Sequence, residues 1–345
     1  GKQQLELFLP VWSPGYYRVE NYHTKLRDLT AADAAGAPLA VEQPQPNRWR
    51  IAARGDSILV RYTLQCTGHS VTTNWVDATG AIWCGPATFV GLLGGAARKH
   101  EVALELPAAW SDSATALVPS GDGRAHHYVA NHYNELLDAP ILAGTLATRA
   151  FDAGGVQVRF VDWGKPGAFD SSKACELLGP VIAEHARFCG GLPFDRYVFL
   201  NAFRQGGGGL EHSFSSLLTT APQVWRTPNA SWLSFVSHEF FHAINVKRLR
   251  PVELGPFDYE TERQTTMLWV AEGFTDLSHL ARTSLGKRLL SPLENIFRGA
   301  IAVELDVGAV VNFHNRWEAF HTKTLLKDSR FLDRKSTRLN SSHRT

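Results

Sequence analysis

The sequence predicts an α+β protein in which an antiparallel β-sandwich comes first and a mainly helical domain follows. Three observations lead to this prediction. Short β-branched or alternating segments recur up to about residue 165, turn residues separate them, and helical apolar periodicity begins only near residue 171. The 345 residues, 44% of them hydrophobic, are enough for two cores. We therefore expect an N-terminal β domain over residues 1–165 and a second domain over residues 166–332.

The first domain is predicted from four strand-like segments and the turns between them. Ser13-Pro14-Gly15 and residues 120–123 (SGDG) are typical turn sequences. Short strands at this spacing favour an antiparallel sandwich. The four segments are residues 5–9 (LELFL), 57–65 (SILVRYTLQ), 101–106 (EVALEL) and 156–161 (VQVRFV).

The second domain is predicted to contain three helices and one short strand. Pro251 and the Gly255-Pro256 pair break the chain between the last two helices. Residues 333–345 (DRKSTRLNSSHRT) are polar and aperiodic, so we expect a non-native or disordered tail there. The helices are expected over residues 174–188, 231–246 and 266–281, and the strand over residues 197–201.

Composition excludes several classes of function. The formal net charge is +2 and the basic residues are scattered, so we expect no nucleic-acid partner. No apolar run approaches the ~20 residues that span a bilayer, so we expect no membrane span. The 4 cysteines form no C-x-x-C pair, which argues against a cysteine metal site. The sequence leaves oligomeric state and compartment open, since cytoplasm and periplasm both fit.

Residues 238–242 (HEFFH) form an H-E-x-x-H motif inside an apolar segment. On a helix, four residues advance ~6 Å and turn ~400°, so His238 and His242 share one face and can bind one Zn²⁺. Glu239 is predicted to be the general base that takes a proton from the attacking water. The alternative is a surface helix with two solvated histidines. The apolar flanks favour burial, and burial without partners would cost several kcal/mol.

The next predicted helix offers a third metal ligand. Glu272 and Asp276 are four residues apart and share a face of this apolar helix. One carboxylate can complete a set of two histidines and one glutamate, as in catalytic zinc sites with an open fourth position. The other can accept the ring N–H of a ligating histidine. We assign Glu272 to the metal and Asp276 to the histidine, with an ordinary surface acid as the alternative for Asp276.

A glycine run, residues 206–209, precedes Glu211. It is not a phosphate-binding loop, because no G-K-[ST] follows and the dinucleotide-binding spacing is absent. Glycines such as Gly208 and Gly209 let a backbone approach a ligand closely. A carboxylate beside a metal cleft can pair with the ammonium group of a peptide. The residues alone favour the simpler alternative, a glycine turn with an exposed glutamate.

With these residues identified, the chain resembles the M61 family of glycyl aminopeptidases, which belong to the thermolysin-like zinc peptidases called gluzincins. Segments along most of the chain carry this resemblance. They are residues 9–17 (LPVWSPGYY), 133–140 (YNELLDAP), 208–212 (GGLEH), 238–245 (HEFFHAIN) with Lys247-Arg248, and 268–275 (LWVAEGFT).

The resemblance implies an N-terminal β domain, a thermolysin-like catalytic domain and a PDZ domain further on. It also implies that Glu211, with Gly208 and Gly209, binds the free α-amine of the substrate. The family is much longer than this chain, so we expect a fragment that lacks its first strands and the end of its catalytic domain. A downstream tyrosine stabilises the oxyanion in related aminopeptidases. No position here matches it, and Tyr259 is only a weak substitute.

The predicted function is therefore hydrolysis of peptides by a zinc metallopeptidase with one Zn²⁺. We expect an aminopeptidase that releases small N-terminal residues, where the preference for glycine or alanine comes from the resemblance alone. Two alternatives stay open: a zinc endopeptidase, which would tolerate blocked N-termini, and a peptide-binding fragment with impaired catalysis. A zinc-dependent epoxide hydrolase is conceivable from the wider clan, but nothing in the sequence favours it.

Overall fold

The computed structural model describes residues 3–278 of the chain. Within this range the protein is a β-rich α+β structure with five α-helices, which confirms the α+β part of the predicted fold class. The mainly helical character predicted for residues 166–332 is not confirmed. Three strands cross residues 196–220, and residues 279–332 lie outside the described part, as does the predicted tail at 333–345.

The elements alternate irregularly along the chain. The helices are α1 (Gly85–Thr88), α2 (Tyr133–Leu137), α3 (Ser171–Cys189), α4 (Ala230–Phe241) and α5 (Leu268–Ser278), with 3-10 turns at Tyr22–Lys25 and Val252–Leu254. The strands are β1 (Gln3–Phe8), β2 (Leu26–Asp33), β3 (Pro38–Leu39), β4 (Val41–Gln45), β5 (Arg48–Ala53), β6 (Ile58–Leu64), β7 (Trp75–Val76), β8 (Gly80–Trp83), β9 (Gly91–Leu92), β10 (His100–Ala103), β11 (Asp112–Thr115), β12 (Val118–Pro119), β13 (His127–Ala130), β14 (Ile141–Gly144), β15 (Leu146–Ala153), β16 (Val156–Gly164), β17 (Arg196–Phe203), β18 (Gly208–Glu211) and β19 (Ser215–Thr220).

The first fourteen strands form four sheets in which the pairing is antiparallel throughout, as predicted. Their orders are β4-β5-β1-β9, β3-β2-β6, β11-β14-β8-β7 and β10-β13-β12. Residues from several of these sheets, among them Leu7, Ile51 and Leu142, share one core. All four strand-like segments are confirmed as strands: residues 5–9, 57–65 and 101–106 overlap β1, β6 and β10, and residues 156–161 lie within β16.

A five-stranded sheet of order β15-β16-β17-β19-β18 lies at the centre of the described structure. Its two edge pairs are antiparallel, and β16, β17 and β19 run parallel. Phe160 and Phe199 pack with the helices on one face, whereas Val161 and Leu200 pack with the N-terminal sheets on the other. Burial on both faces explains why β17 is almost continuously apolar.

This sheet also crosses the predicted domain boundary. Residues of β15 and β16, between 146 and 164, hydrogen-bond into the same sheet as β17. The sheet begins at Leu146, before the predicted boundary. The boundary at residue 165 stays a prediction.

Helix α4 packs its apolar face on this sheet. The side chain of Asn229 caps the helix by accepting a hydrogen bond from the Trp232 N–H, and Trp232 and Phe240 are buried. The helix ends at Phe241, earlier than the predicted Val246. Residues 242–244 form a turn instead of continuing the helix, and Val246 adopts φ 106°, a conformation that β-branched residues rarely adopt.

Among residues 3–278, no helix combines the length and the apolar character needed to cross a bilayer.

Candidate metal centre

The three predicted metal ligands lie together between α4 and α5. One ligand atom from each of His238, His242 and Glu272 falls within 4.8 Å of the others. The two imidazole Nε2 atoms are 2.9 Å apart, and Glu272 Oε2 lies 3.4 Å from His238 Nε2 and 3.5 Å from His242 Nε2. The helical spacing of the histidines and the position of Glu272 on the neighbouring helix produce this cluster.

These separations fit a tetrahedral zinc ion. Ligand atoms bound to Zn²⁺ at ~2.0–2.1 Å with tetrahedral angles are about 3.3 Å apart. Although burial alone would raise it, the pKa of the Glu272 carboxyl is held well below its ordinary value by the two imidazoles, so this side chain is ionised. Three protein ligands leave a fourth position for water or substrate, which is the composition of catalytic zinc sites.

The ring of His242 is held in the tautomer that metal binding needs. Its Nδ1 lies 3.1 Å from the backbone oxygen of Asn245, and a carbonyl oxygen only accepts, so Nδ1 carries the hydrogen. The lone pair of Nε2 then faces the cluster. The early end of α4 is what brings residue 245 back to this ring.

The side chain of Asn245 joins the two metal-bearing helices. Its Nδ2 donates to the backbone oxygens of Val270 and Ala271 at 3.1 and 3.0 Å, just before Glu272 in α5. It also lies 3.0 Å from Thr275 Oγ1. A residue three positions after the second histidine therefore fixes the distance between the two ligand-bearing helices. Sequence analysis missed this residue, although it lies within the quoted segment 238–245.

Glu239 lies beside the cluster in a confined space. Its side chain is buried, and burial raises the pKa of its carboxyl to about 7, although the two histidines act in the opposite direction. Gly209 of β18 approaches this carboxyl closely, because a Cβ added there would lie 2.4 Å from Glu239 Cδ. Residue 209 is therefore a glycine because a side chain there would collide with Glu239, a reason that composition alone could not reveal.

Glu211 lies at the end of β18 and is buried, unlike the exposed glutamate that the residues alone favoured. Gly15 lies against it, since a Cβ added to Gly15 would be 2.4 Å from Glu211 Oε1. With Glu239 and Glu272, this places three carboxylates around two imidazoles, a charge distribution that suits a divalent cation and an ammonium group.

A buried charge pair supports the strand end that carries Glu211. Lys247 Nζ donates to Asp138 Oδ1 at 2.8 Å, and the lysine side chain is only 3% exposed. The same carboxylate accepts hydrogen bonds from His212 Nδ1 and from the Ser213 N–H. Burial would raise the pKa of Asp138, but Lys247 and His212 hold it far below its ordinary value.

Two predicted residues are not part of the observed cluster. The hydroxyl of Tyr259 donates to the side chain of Asn134, in an aromatic cluster with Tyr133. The backbone of Asp276 belongs to α5, but its side chain falls outside the described residues, so its hydrogen bond to a histidine stays a prediction.

Two family models match the chain. The model of the peptidase M61 N-terminal domain matches residues 1–145, ending one residue before β15. The model described as M61 glycyl aminopeptidase matches residues 231–286, a range that includes His238, His242 and Glu272. No curated protein sequence matches the chain.

Among solved structures, the chain is similar to an aminopeptidase N family protein from Idiomarina loihiensis. The two share 29% identity and a TM-score of 0.76, over 82% of this chain and 51% of the other, so the chain spans about half the length of that structure. A mutant M1 zinc metallopeptidase from Deinococcus radiodurans, bound to a Tyr-Ser-Ala substrate, is similar at 13% identity and a TM-score of 0.47, over 84% and 66%. Legionella pneumophila aminopeptidase A in complex with aspartic acid is similar at 12% identity and a TM-score of 0.45, over 80% and 33%.

Proposed function

Because the chain belongs to peptidase family M61, we propose that it is a zinc aminopeptidase that hydrolyses the first peptide bond of peptides with a small N-terminal residue. The observation that carries this proposal is the cluster of His238, His242 and Glu272, whose ligand atoms lie at distances suited to one zinc ion. A buried carboxyl group, that of Glu239, lies beside it.

Each member of this set supplies part of a metal-assisted hydrolysis. His238, His242 and Glu272 would hold the zinc ion, which when bound would lower the pKa of water toward ~7 and polarise a carbonyl group. Glu239 takes a proton from the attacking water and delivers it to the leaving amine. Burial raises the pKa of the Glu239 carboxyl to about 7 in the metal-free protein, and a pKa near neutral pH suits a group that must both accept and release a proton.

The buried carboxylate of Glu211 supports an aminopeptidase over an endopeptidase. It lies on the same strand as Gly209, which touches Glu239, so an amine paired with Glu211 would be held close to the base. A peptide anchored by its ammonium group can place only its first peptide bond at such a site. The preference for a small first residue is supported by the glycyl aminopeptidase description of the matching family model.

We expect the zinc-loaded chain to cleave alanine p-nitroanilide and to leave N-acetylalanine p-nitroanilide intact. Acetylation removes the positive charge that pairs with Glu211, so the expected loss is at least about 100-fold, the cost of leaving a buried charge unpaired. Release of p-nitroaniline measures both rates. Equal rates on the two substrates would favour an endopeptidase. The same protein treated with a chelator provides the control for metal dependence.

Gly209→Ala is expected to lower turnover of alanine p-nitroanilide by about 100-fold, because the new Cβ would displace the Glu239 carboxyl by the order of an ångström. Zinc content should be unchanged, because no ligand moves. The matched control is Gly207→Ala in the same glycine run, where an added Cβ meets nothing within 4 Å. Similar turnover in the two variants would contradict the proposed position of the base.

A further inference from the structure

We call residues 10–19 the N-terminal loop. This loop belongs to the region matched by the peptidase M61 N-terminal domain model, and it reaches the proposed active site. Trp12 is fully buried, and its Nε1 donates to the backbone oxygen of Asp258 at 2.8 Å. The Val11 N–H donates to the backbone oxygen of Tyr259 at 2.9 Å. These contacts fix the loop against the segment that joins α4 and α5.

The tip of the loop lies against the proposed amine-binding residue. Gly15 has φ 97° and touches the Glu211 carboxylate so closely that any side chain at residue 15 would displace it. Glycine is therefore needed here both for the backbone conformation and for the contact. The loop thus forms one wall of the space around Glu211.

Tyr17, two residues further on, has two unusual features. Its backbone adopts φ 52°, which is uncommon for a bulky side chain and is found mostly where surrounding structure imposes it. Its hydroxyl is buried, yet no atom among the described residues forms a hydrogen bond with it. A buried hydroxyl without a partner destabilises the protein, so a partner is expected in the working state.

The surroundings of this hydroxyl indicate what kind of partner it takes. Burial and the nearby carboxylates of Glu211 and Glu272 raise the pKa of Tyr17 well above its ordinary value, although Arg250 acts in the opposite direction. A tyrosine hydroxyl with its ordinary pKa of about 10 already carries its proton at neutral pH, so it is a hydrogen-bond donor. It lies near both the proposed amine anchor and a proposed metal ligand, where the first residue of a substrate would be bound.

We propose that Tyr17 is a substrate-contacting residue whose hydroxyl donates a hydrogen bond to the carbonyl oxygen of the first substrate residue. The ammonium group of that residue is matched by Glu211, whereas its carbonyl oxygen needs a donor, and Tyr17 supplies one. This inference rests on the proposed aminopeptidase function. It means that the region matched by the peptidase M61 N-terminal domain model contacts the substrate directly. Sequence analysis considered only Tyr259 as a tyrosine that could bind the carbonyl oxygen at the reacting bond.

The test uses two small amines, one with a carboxamide group and one with a methyl group in its place. Alaninamide carries both an ammonium group and a carbonyl, whereas isopropylamine keeps the same carbon skeleton without the carboxamide. Binding of each to the zinc-loaded chain is measured by calorimetry for the wild type, for Tyr17→Phe and for Tyr16→Phe, the neighbouring tyrosine of the same loop. Zinc content and melting temperature are recorded for all three.

We expect Tyr17→Phe to weaken alaninamide binding about tenfold and to leave isopropylamine binding, zinc content and melting temperature unchanged. Tyr16→Phe should match the wild type for both amines. Equal alaninamide affinity in Tyr17→Phe and the wild type overturns the inference. Equal weakening of both amines, or loss of zinc, also overturns it, since these results indicate a structural role. A wild-type chain that binds zinc but not alaninamide contradicts the proposed function itself.

Discussion

Glu239→Gln is expected to lower turnover of alanine p-nitroanilide by about 10³-fold while the protein retains its zinc. Glutamine has nearly the same shape as glutamate but cannot accept a proton from the attacking water, and positioned acid–base groups typically contribute factors of 10²–10⁴. The three metal ligands are untouched by the change, so metal analysis should give the same zinc content as in the wild type.

Stability measurements separate this result from unfolding. Burial raises the pKa of Glu239 to about 7 in the metal-free protein, against about 4.3 in an unfolded chain. A raised folded pKa means that the contribution of this group to stability is complete below about pH 4 and is lost as pH rises through about 7. The metal-free Gln variant should therefore be at least as stable as the wild type at pH 8, as measured by urea denaturation.

The control for this variant is Glu176→Gln, a glutamate on the exposed surface of α3 that pairs with Lys173. It should leave turnover unchanged. If Glu239→Gln kept more than about a tenth of wild-type activity, the general-base role would have to move to another group.

Local sequence patterns were sufficient to predict that His238, His242 and Glu272 lie close together. The H-E-x-x-H spacing predicts a shared helix face from helix geometry alone, and the structure brings His238 and His242 within 2.9 Å of each other at Nε2. Glu272 was predicted from its place in an apolar helix, and its carboxylate completes the cluster. The strands of the first part were also predictable, because alternation is a local property.

The remaining features depend on contacts between distant segments. Gly15 meets Glu211, and Gly209 meets Glu239, so in both pairs the glycine is explained only by its partner. The position at which α4 ends depends on the Asn245 turn and on its bonds to α5. No periodicity or spacing encodes such contacts, which is why sequence analysis predicted a longer helix and why the residues alone, without the family resemblance, favoured an exposed Glu211.

The buried pair of Asp138 and Lys247 is another long-range contact, and its disruption should have the largest effect on stability. Asp138→Ala leaves the Lys247 ammonium, 3% exposed, without its partner at 2.8 Å. Removing one partner of a buried ion pair typically costs about 3–5 kcal/mol, a large share of the roughly 5–15 kcal/mol that stabilises most domains. Urea denaturation at pH 7 measures the loss.

The double variant Asp138→Ala/Lys247→Met distinguishes the charge effect from the loss of packing. Methionine fills much of the lysine volume without a charge, and apolar replacement of both partners of a buried pair is often nearly neutral. The double variant should therefore recover most of the stability lost in the single variant. If it were no more stable than Asp138→Ala, the unpaired charge could not be the cause.

The pH dependence follows from the lowered pKa of Asp138, which is set by Lys247 and His212 against the effect of burial. A folded pKa below the unfolded value of about 3.9 means that the stabilisation is complete above about pH 4. It falls by about 1.4 kcal/mol per pH unit as pH decreases toward the folded pKa. The stability difference between the wild type and Asp138→Asn, which cannot ionise, should therefore be constant from pH 5 to 8 and narrow below pH 4.

The same pair should also affect substrate binding. Asp138 accepts hydrogen bonds from His212 and the Ser213 N–H, directly after Glu211 on the chain, so it holds the strand end that presents this carboxylate. Under conditions where the variant is still folded, we expect Asp138→Asn to raise KM for alanine p-nitroanilide more than it lowers kcat, because Glu239 and the metal ligands stay in place. An unchanged KM would show that Glu211 keeps its position without this support, and would limit the role of the pair to stability.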